Sequence, residues 1–243
     1  MERWQRPTNR RLHAGSVMAR KRAFSARVCR ELERQYGSPQ HGNHDDPLDE
    51  LYYIVLSQMT TGPSYARVFK RLKECCGDWS ALARMPLRQL KSLVRDAGLS
   101  NQKAPRMAAI AKRLIADFGV ADLAALRSMS PAAAERYLVS LPGVGLKTAK
   151  CVAMYSLAHR TLPVDTHVLR VSQRLGLLPQ KPLSTDAAHA LIEKAVAPRN
   201  RYSFHVNVLA HGRAVCTSRD PRCAECVLNA VCKTGSPHST RAS

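Results

Sequence analysis

No apolar run in the 243 residues approaches the ~20 needed to cross a bilayer, and no apolar stretch follows the first residues as a secretion signal would. These absences predict a soluble, non-secreted protein. Alternating strand-like runs are missing too, and so is any repeat of solenoid period, which leaves an all-α chain as the expected fold class. Acidic residues are scarce, with 18 Asp and Glu against 38 Lys and Arg and a net charge of +20. That excess is far more than solubility needs and points to a polyanionic partner. Nucleic acid is the expected one; a merely basic soluble protein or a ribosome-associated one satisfies the charge alone.

What the chain does have is helical periodicity. Tyr65, Val68, Phe69 and Leu72 recur at helical spacing, as do Leu87, Leu90 and Val94 with Gly98 as a stop, and Met107, Ile110, Leu114 and Phe118 with Gly119. Ser130-Pro131 places a capping residue before a first-turn proline and starts a helix running to about Leu141. Residues 1–22 contain Arg3, Arg6, Arg10, Arg11, Arg20, Lys21 and Arg22 with one acid, Glu2. They predict a disordered basic arm, and an Arg-rich, acid-poor N-terminus also fits an organellar transit peptide.

The string Leu141-Pro142-Gly143-Val144-Gly145-Leu146-Lys147-Thr148-Ala149 falls between two expected helices, the second running from about Leu146 to Leu157. Glycine permits a tight turn and admits another backbone where a Cβ would intrude. Amides opening the second helix, with its dipole, favour a phosphate. The string reads either as a plain helix–helix turn or as a helix-hairpin-helix that grips a nucleic-acid backbone without reading bases. Lys147 falls in the first turn of the second helix. There the dipole and basic neighbours such as Lys150 disfavour the charged amine and raise its neutral, nucleophilic fraction. Position alone suits a nucleophile and a phosphate-touching surface lysine equally. Asp165, in Val164-Asp165-Thr166-His167, stands behind Pro163 at the expected start of a helix through Val168, Leu169, Val171 and Leu175. Capping and catalysis are compatible there, since a carboxylate could also stabilise positive charge on a sugar and help deprotonate an amine.

Of the eight cysteines, Cys29, Cys75, Cys76 and Cys151 have no ligand-like spacing and read as ordinary core or surface thiols. Cys216, Cys223, Cys226 and Cys232 follow C-x6-C-x2-C-x5-C within 17 residues, a set built to hold one metal centre. Without a secretion signal, ligation is favoured over disulfides. Tetrahedral zinc and a [4Fe-4S] cluster both suit four thiolates.

Taken in order, the hairpin string, the V-D-T-H string and the cysteine pattern resemble the endonuclease III family of DNA base-excision glycosylases, from about Leu51 to Cys232. The resemblance implies two α-helical domains facing each other across a cleft, a helix-hairpin-helix and a C-terminal [4Fe-4S] loop. The implied division is a basic arm at 1–22, a helical barrel over 49–159, a cluster domain of 23–48 plus 160–235, and a tail at 236–243. Lys147 matches the family's Schiff-base lysine and Asp165 its catalytic aspartate; His167 supports the turn. Gln58 and Leu99 match residues that fill the gap left by an extruded base. Gly143, Val144 and Gly145 match the phosphate-gripping turn. The cysteine intervals match those of the family's iron-sulfur ligands, so Cys216, Cys223, Cys226 and Cys232 would hold the cluster, with Arg219 and Arg222 projected together as a phosphate clamp. His211-Gly212-Arg213 also matches.

The implied activity is bifunctional: removal of oxidised pyrimidines, then nicking at abasic sites by β-elimination through a lysine imine, with no catalytic metal. The implied partner is double-stranded DNA carrying a damaged base or abasic site, bound by a monomer. The setting would be the cytoplasm or nucleoid of a bacterium, or the nucleus or mitochondrion of a eukaryote. Two rivals stay open: a monofunctional mismatch glycosylase of the same superfamily, against which Lys147 argues, and a non-catalytic DNA-binding module. Thr61 stands where many members have an aspartate, which touches base preference, and Leu146 where many have an arginine.

Overall fold

The structure, a computed structural model, describes residues 9–37, 43–60 and 63–235. Eleven α-helices follow in chain order among them: α1 (Asn9–Tyr36), α2 (Pro47–Ser57), α3 (Ser64–Cys76), α4 (Ala81–Arg84), α5 (Leu87–Leu93), α6 (Ser100–Phe118), α7 (Pro131–Ser140), α8 (Leu146–Tyr155), α9 (Thr166–Arg174), α10 (Thr185–Ala195) and α11 (Arg201–Ala214). The described residues hold no strand, so the all-α expectation stands. No helix among them is long and apolar enough to cross a membrane. Two compact units result, one formed by Gly42–His159 and the other by Met1–His41 together with Arg160–Ser243.

In the continuous unit, α2 is the central element. Asp46 caps it by accepting from the amides of Leu48 (2.9 Å) and Asp49 (2.8 Å), and Pro47 at the first position has no amide to satisfy. Leu48, Leu51, Tyr52, Ile54, Val55 and Leu56 are all buried, which takes in nearly every side of the helix; such a helix must be enclosed by others. The enclosing residues include Leu72 of α3, Leu90 of α5, Met107, Ile110 and Leu114 of α6, Leu138 of α7 and Val152 of α8. Burying each such side chain contributes roughly 1.5–3 kcal/mol. Gly119 closes α6 in the left-handed conformation at φ +79°, and Ser130 caps α7 through the amide of Ala133, both as the sequence predicts. One stop differs. The helix begun at Leu87 ends at Leu93, four residues before the expected one, and Arg95–Ala97 tightens into a 3-10 turn whose last carbonyl is taken by a side chain from α6.

In the discontinuous unit, Val28, Cys29 and Leu32 of α1 pack in one core with Val168 and Val171 of α9, Ile192 of α10, and Phe204 and Val208 of α11. Burial pushes the Cys29 thiol up to about 12, so it is an inert core thiol. The arm expected to be disordered over residues 1–22 is helical from Asn9 onward, and residues 1–8 lie outside the described residues. The reason is anchoring that local composition does not reveal. Lys21 donates to the carbonyl of Leu177 (2.8 Å), Arg22 to that of Lys194 (3.1 Å), and Ser25 to that of Ala195 (2.8 Å). The tail at 236–243 lies outside the described residues.

Candidate functional site

The hairpin belongs to the continuous unit. α7 ends at Ser140, the amide of Val144 closes the turn on the carbonyl of Leu141 at 3.1 Å, and α8 begins at Leu146 with Gly145 as its N-cap. Gly143 adopts φ +69°, where a side chain is strained, and a Cβ there would fall 2.9 Å from Cδ of Arg106. Val144 points the other way: its side chain is buried in the core, so it anchors the turn and offers a ligand only its backbone. Gly145 is extended, with open space where a Cβ would stand and no side chain to cap the first amides of α8. Gly143→Ala should therefore displace Arg106, lower stability by about 1–2 kcal/mol, and weaken duplex binding. Thermal melting alongside fluorescence anisotropy checks it, and unchanged affinity would dissociate the turn from DNA.

Lys147 is half-buried in the first turn of α8. Its electrostatic surroundings differ from expectation. Lys150, expected to repel the amine, is buried and paired with Glu135 at 2.8 Å, so its charge is locally compensated. A carboxylate that the sequence reading missed, Glu50 of α2, is fully buried and lies within charge-coupling range of Lys147. Burial pushes the Glu50 carboxyl above its ordinary range. Hydrogen bonds from the His44 amide (3.0 Å) and Asn43 Nδ2 (2.8 Å), and the Lys147 charge, pull it back.

The first turns of α6 gather the remaining residues of this unit. Arg106, beside Gly143, donates to Gln58 Oε1 at 2.8 Å and so ties the end of α2 to the hairpin. One turn earlier, Lys103 Nζ donates to Leu56 O (2.6 Å), Ala97 O (2.6 Å) and Thr60 Oγ1 (2.8 Å). Burial, with Arg106 adding to it, pulls the Lys103 amine down to about 8. The signal for Lys103 was present in the sequence, because it shares the stripe of Met107, Ile110 and Leu114. Leu99 precedes α6 in a left-handed conformation and is exposed. Thr61 lies outside the described residues.

Asp165 belongs to the discontinuous unit. It is half-buried and caps α9 by accepting from the amide of Val168 at 2.7 Å. The chain just before it is fixed by two buried histidines: His189 Nε2 accepts from the Val164 amide (2.9 Å), and His205 Nδ1 meets Pro163 O (2.9 Å). Neither histidine was singled out from sequence, since both reach Asp165's neighbours from distant helices. His167 packs its Cβ where a side chain on Gly212 would stand at 3.0 Å, which supports the turn and lets α9 and α11 approach closely.

Farther along α9, two arginines hold the cysteine loop. Arg170 donates to the carbonyls of Cys216 (3.0 Å) and Gly212 (2.8 Å), and Arg174 to Thr217 O (2.7 Å) and Cys216 Sγ (3.2 Å). All four cysteines line one cavity of about 100 Å³. Burial raises the Cys226 thiol, and negative charge on Cys216, Cys232 and Cys223 pushes the same way. Four thiolates in such proximity repel unless cationic charge sits among them, so the donor set suits a metal centre. Gly235 keeps the rim open, since a Cβ there would lie 3.0 Å from Cys223 Sγ. Arg219 is exposed, whereas Arg222, also exposed, folds back on the Ala214 carbonyl and pairs with Glu225 at 3.1 Å.

Three comparisons bear on this arrangement. The family model described as HhH-GPD superfamily base excision DNA repair protein matches residues 53–198. Endonuclease III of Bacillus subtilis is 32% identical over 193 residues, covering 79% of this chain and 83% of that protein. Protein ROS1C of Oryza sativa is 32% identical over 183 residues, 69% of this chain but 10% of that protein, so the chain spans about a tenth of that plant relative's length. Among solved structures, a trapped endonuclease III–DNA covalent intermediate superposes with a TM-score of 0.75 and 26% identity, covering 87% of this chain and 96% of that one.

Proposed function

The chain belongs to the HhH-GPD superfamily of base excision DNA repair proteins and within it to the endonuclease III family, and from that premise we propose that it is a bifunctional DNA glycosylase and abasic-site lyase acting on oxidised pyrimidines. The observation that carries the reading is Lys147, half-buried one residue into the helix that follows the Gly143–Gly145 turn. A similar protein, an endonuclease III, was solved as a trapped covalent intermediate with DNA, which supports a reading in which the protein bonds covalently to its substrate.

In this reading the duplex backbone lies along the hairpin, where Gly145 leaves room for a phosphate at the start of α8. A damaged nucleotide leaves the stack. The neutral Lys147 amine attacks the anomeric carbon, the base departs with the bonding electrons and takes up a proton, and the sugar ring opens to an imine. Loss of a proton from the neighbouring sugar carbon expels the 3′ phosphate and nicks the strand. Asp165 contributes by stabilising positive charge on the sugar and by accepting the amine's proton.

Cys216, Cys223, Cys226 and Cys232 would hold a [4Fe-4S] cluster, which when bound supplies four fixed attachment points for the loop bearing Arg219. The C-x6-C-x2-C-x5-C spacing, unlike the two separated C-x2-C knuckles usual for zinc, supports the cluster reading. Iron and acid-labile sulfide should be found in about four equivalents each per chain. Stoichiometric zinc without iron would replace this assignment.

Duplexes each containing one defined lesion test the function. Free base released from oxidised pyrimidines, together with a borohydride-trapped adduct, is the expected outcome. Base release without trapping would mark a monofunctional glycosylase, and binding with neither a DNA-binding module.

A further inference from the structure

Two long apolar residues of the continuous unit stand in the left-handed backbone region, Met59 at φ +52° and Leu99 at φ +48°. Met59 is 89% exposed and Leu99 45%. Neither conformation suits a residue with a Cβ, and such strain persists only where neighbours over-determine it. The neighbour here is Lys103. Though 2% exposed, it donates one hydrogen bond to each of three anchor points: Leu56 O before the Met59 turn, Thr60 Oγ1 just after it, and Ala97 O before the Leu99 turn. Thr60 Oγ1 closes the arrangement by bonding Ala97 O itself. All three partners of the ammonium are neutral oxygens, so its burial is costly and gains no ion pair. What the arrangement yields is a fixed relation between two strained turns.

Gln58 does not share this presentation. Its amide oxygen is engaged by Arg106 at 2.8 Å, which draws the side chain toward the hairpin. Met59 is the exposed apolar tip beside it, flexible and polarisable enough to fill an irregular gap between bases.

We propose that Lys103 is a positioning residue for base extrusion, tying the two turns so that Met59, rather than Gln58, enters the base stack alongside Leu99 as a matched pair of wedges. The inference rests on the proposed glycosylase reading and adds to it the side chain that organises the wedge.

The test uses the full chain and a duplex with 2-aminopurine next to an abasic-site analogue, whose fluorescence rises on unstacking. Met59→Ala and Lys103→Met should each lower the extrusion equilibrium roughly tenfold while duplex affinity changes less, and the double variant should be no worse than either alone. Additive losses would reduce Lys103 to general stability and overturn its role. A loss in Gln58→Ala with none in Met59→Ala would return the wedge to Gln58. Should Lys103→Met fail to fold, Thr60→Val, which removes one of the three anchors, is read in the same way, and an unchanged signal counts against the tie. Borohydride trapping of the unsubstituted protein on abasic DNA separates the two levels. An adduct accompanied by wild-type extrusion in every variant overturns this inference alone, whereas no adduct and no extrusion in the unsubstituted protein overturns the glycosylase reading with it.

Discussion

Lys147→Ala should abolish the borohydride-trapped adduct with abasic DNA and lower strand nicking at least about a thousandfold, with duplex affinity little changed. The large effect follows from chemistry that nothing else in the hairpin can supply. The neighbouring amine, Lys150, is buried in its pair with Glu135. The fold should tolerate the change well, because alanine is the best helix former and the position lies in the first turn of α8. Trapping gels with anisotropy titrations read both halves of the expectation. An adduct that survives the substitution, or one lost only together with DNA binding, would remove Lys147 from the nucleophile's role.

Asp165→Asn should cost roughly 10²–10⁴-fold in turnover while leaving the melting temperature and DNA affinity close to those of the parent. The asymmetry comes from the two duties of one side chain. Asparagine caps a helix about as well as aspartate, so the bond from the Val168 amide at 2.7 Å and the start of α9 are preserved. What disappears is the negative charge and the ability to accept a proton. Single-turnover kinetics beside a melting curve decide the matter. Normal rates with a lowered melting temperature would leave Asp165 as a cap and nothing more.

Features written in short segments were legible before any coordinates. The Gly119 stop of α6, the Ser130-Pro131 start of α7, the entry of α8 at Leu146 and the cap at Asp165 each depend on neighbours within a few residues. Features that depend on distant partners were not. Glu50 reads locally as an acid near a helix start, and only the fold buries it near Lys147. The burial of Lys103 could be read from its place on the stripe of Met107, Ile110 and Leu114, but not its acceptor Leu56, which lies 47 positions earlier in the chain. Lys21 and Arg22 looked like part of a free arm because their acceptors, Leu177 and Lys194, are more than 150 positions away in the chain. Cysteine spacing grouped four thiols that line one cavity, but the arginines of α9 that hold their loop belong to no motif.

The out-and-back path of the chain has a consequence for synthesis. Residues 42–159 contain their whole core and can fold as soon as they clear the ribosome, whereas Val28, Cys29 and Leu32 of α1 wait for Phe204 and Val208 before their apolar side can be covered. At cellular translation speeds that wait is on the order of ten seconds or more, during which a greasy stripe on the nascent chain stays open to chaperones or to neighbouring chains. Circular rearrangement that places α1 after α11 would remove the delay without altering a single contact of the finished core, and should raise the yield of folded protein from a cell-free translation lacking chaperones.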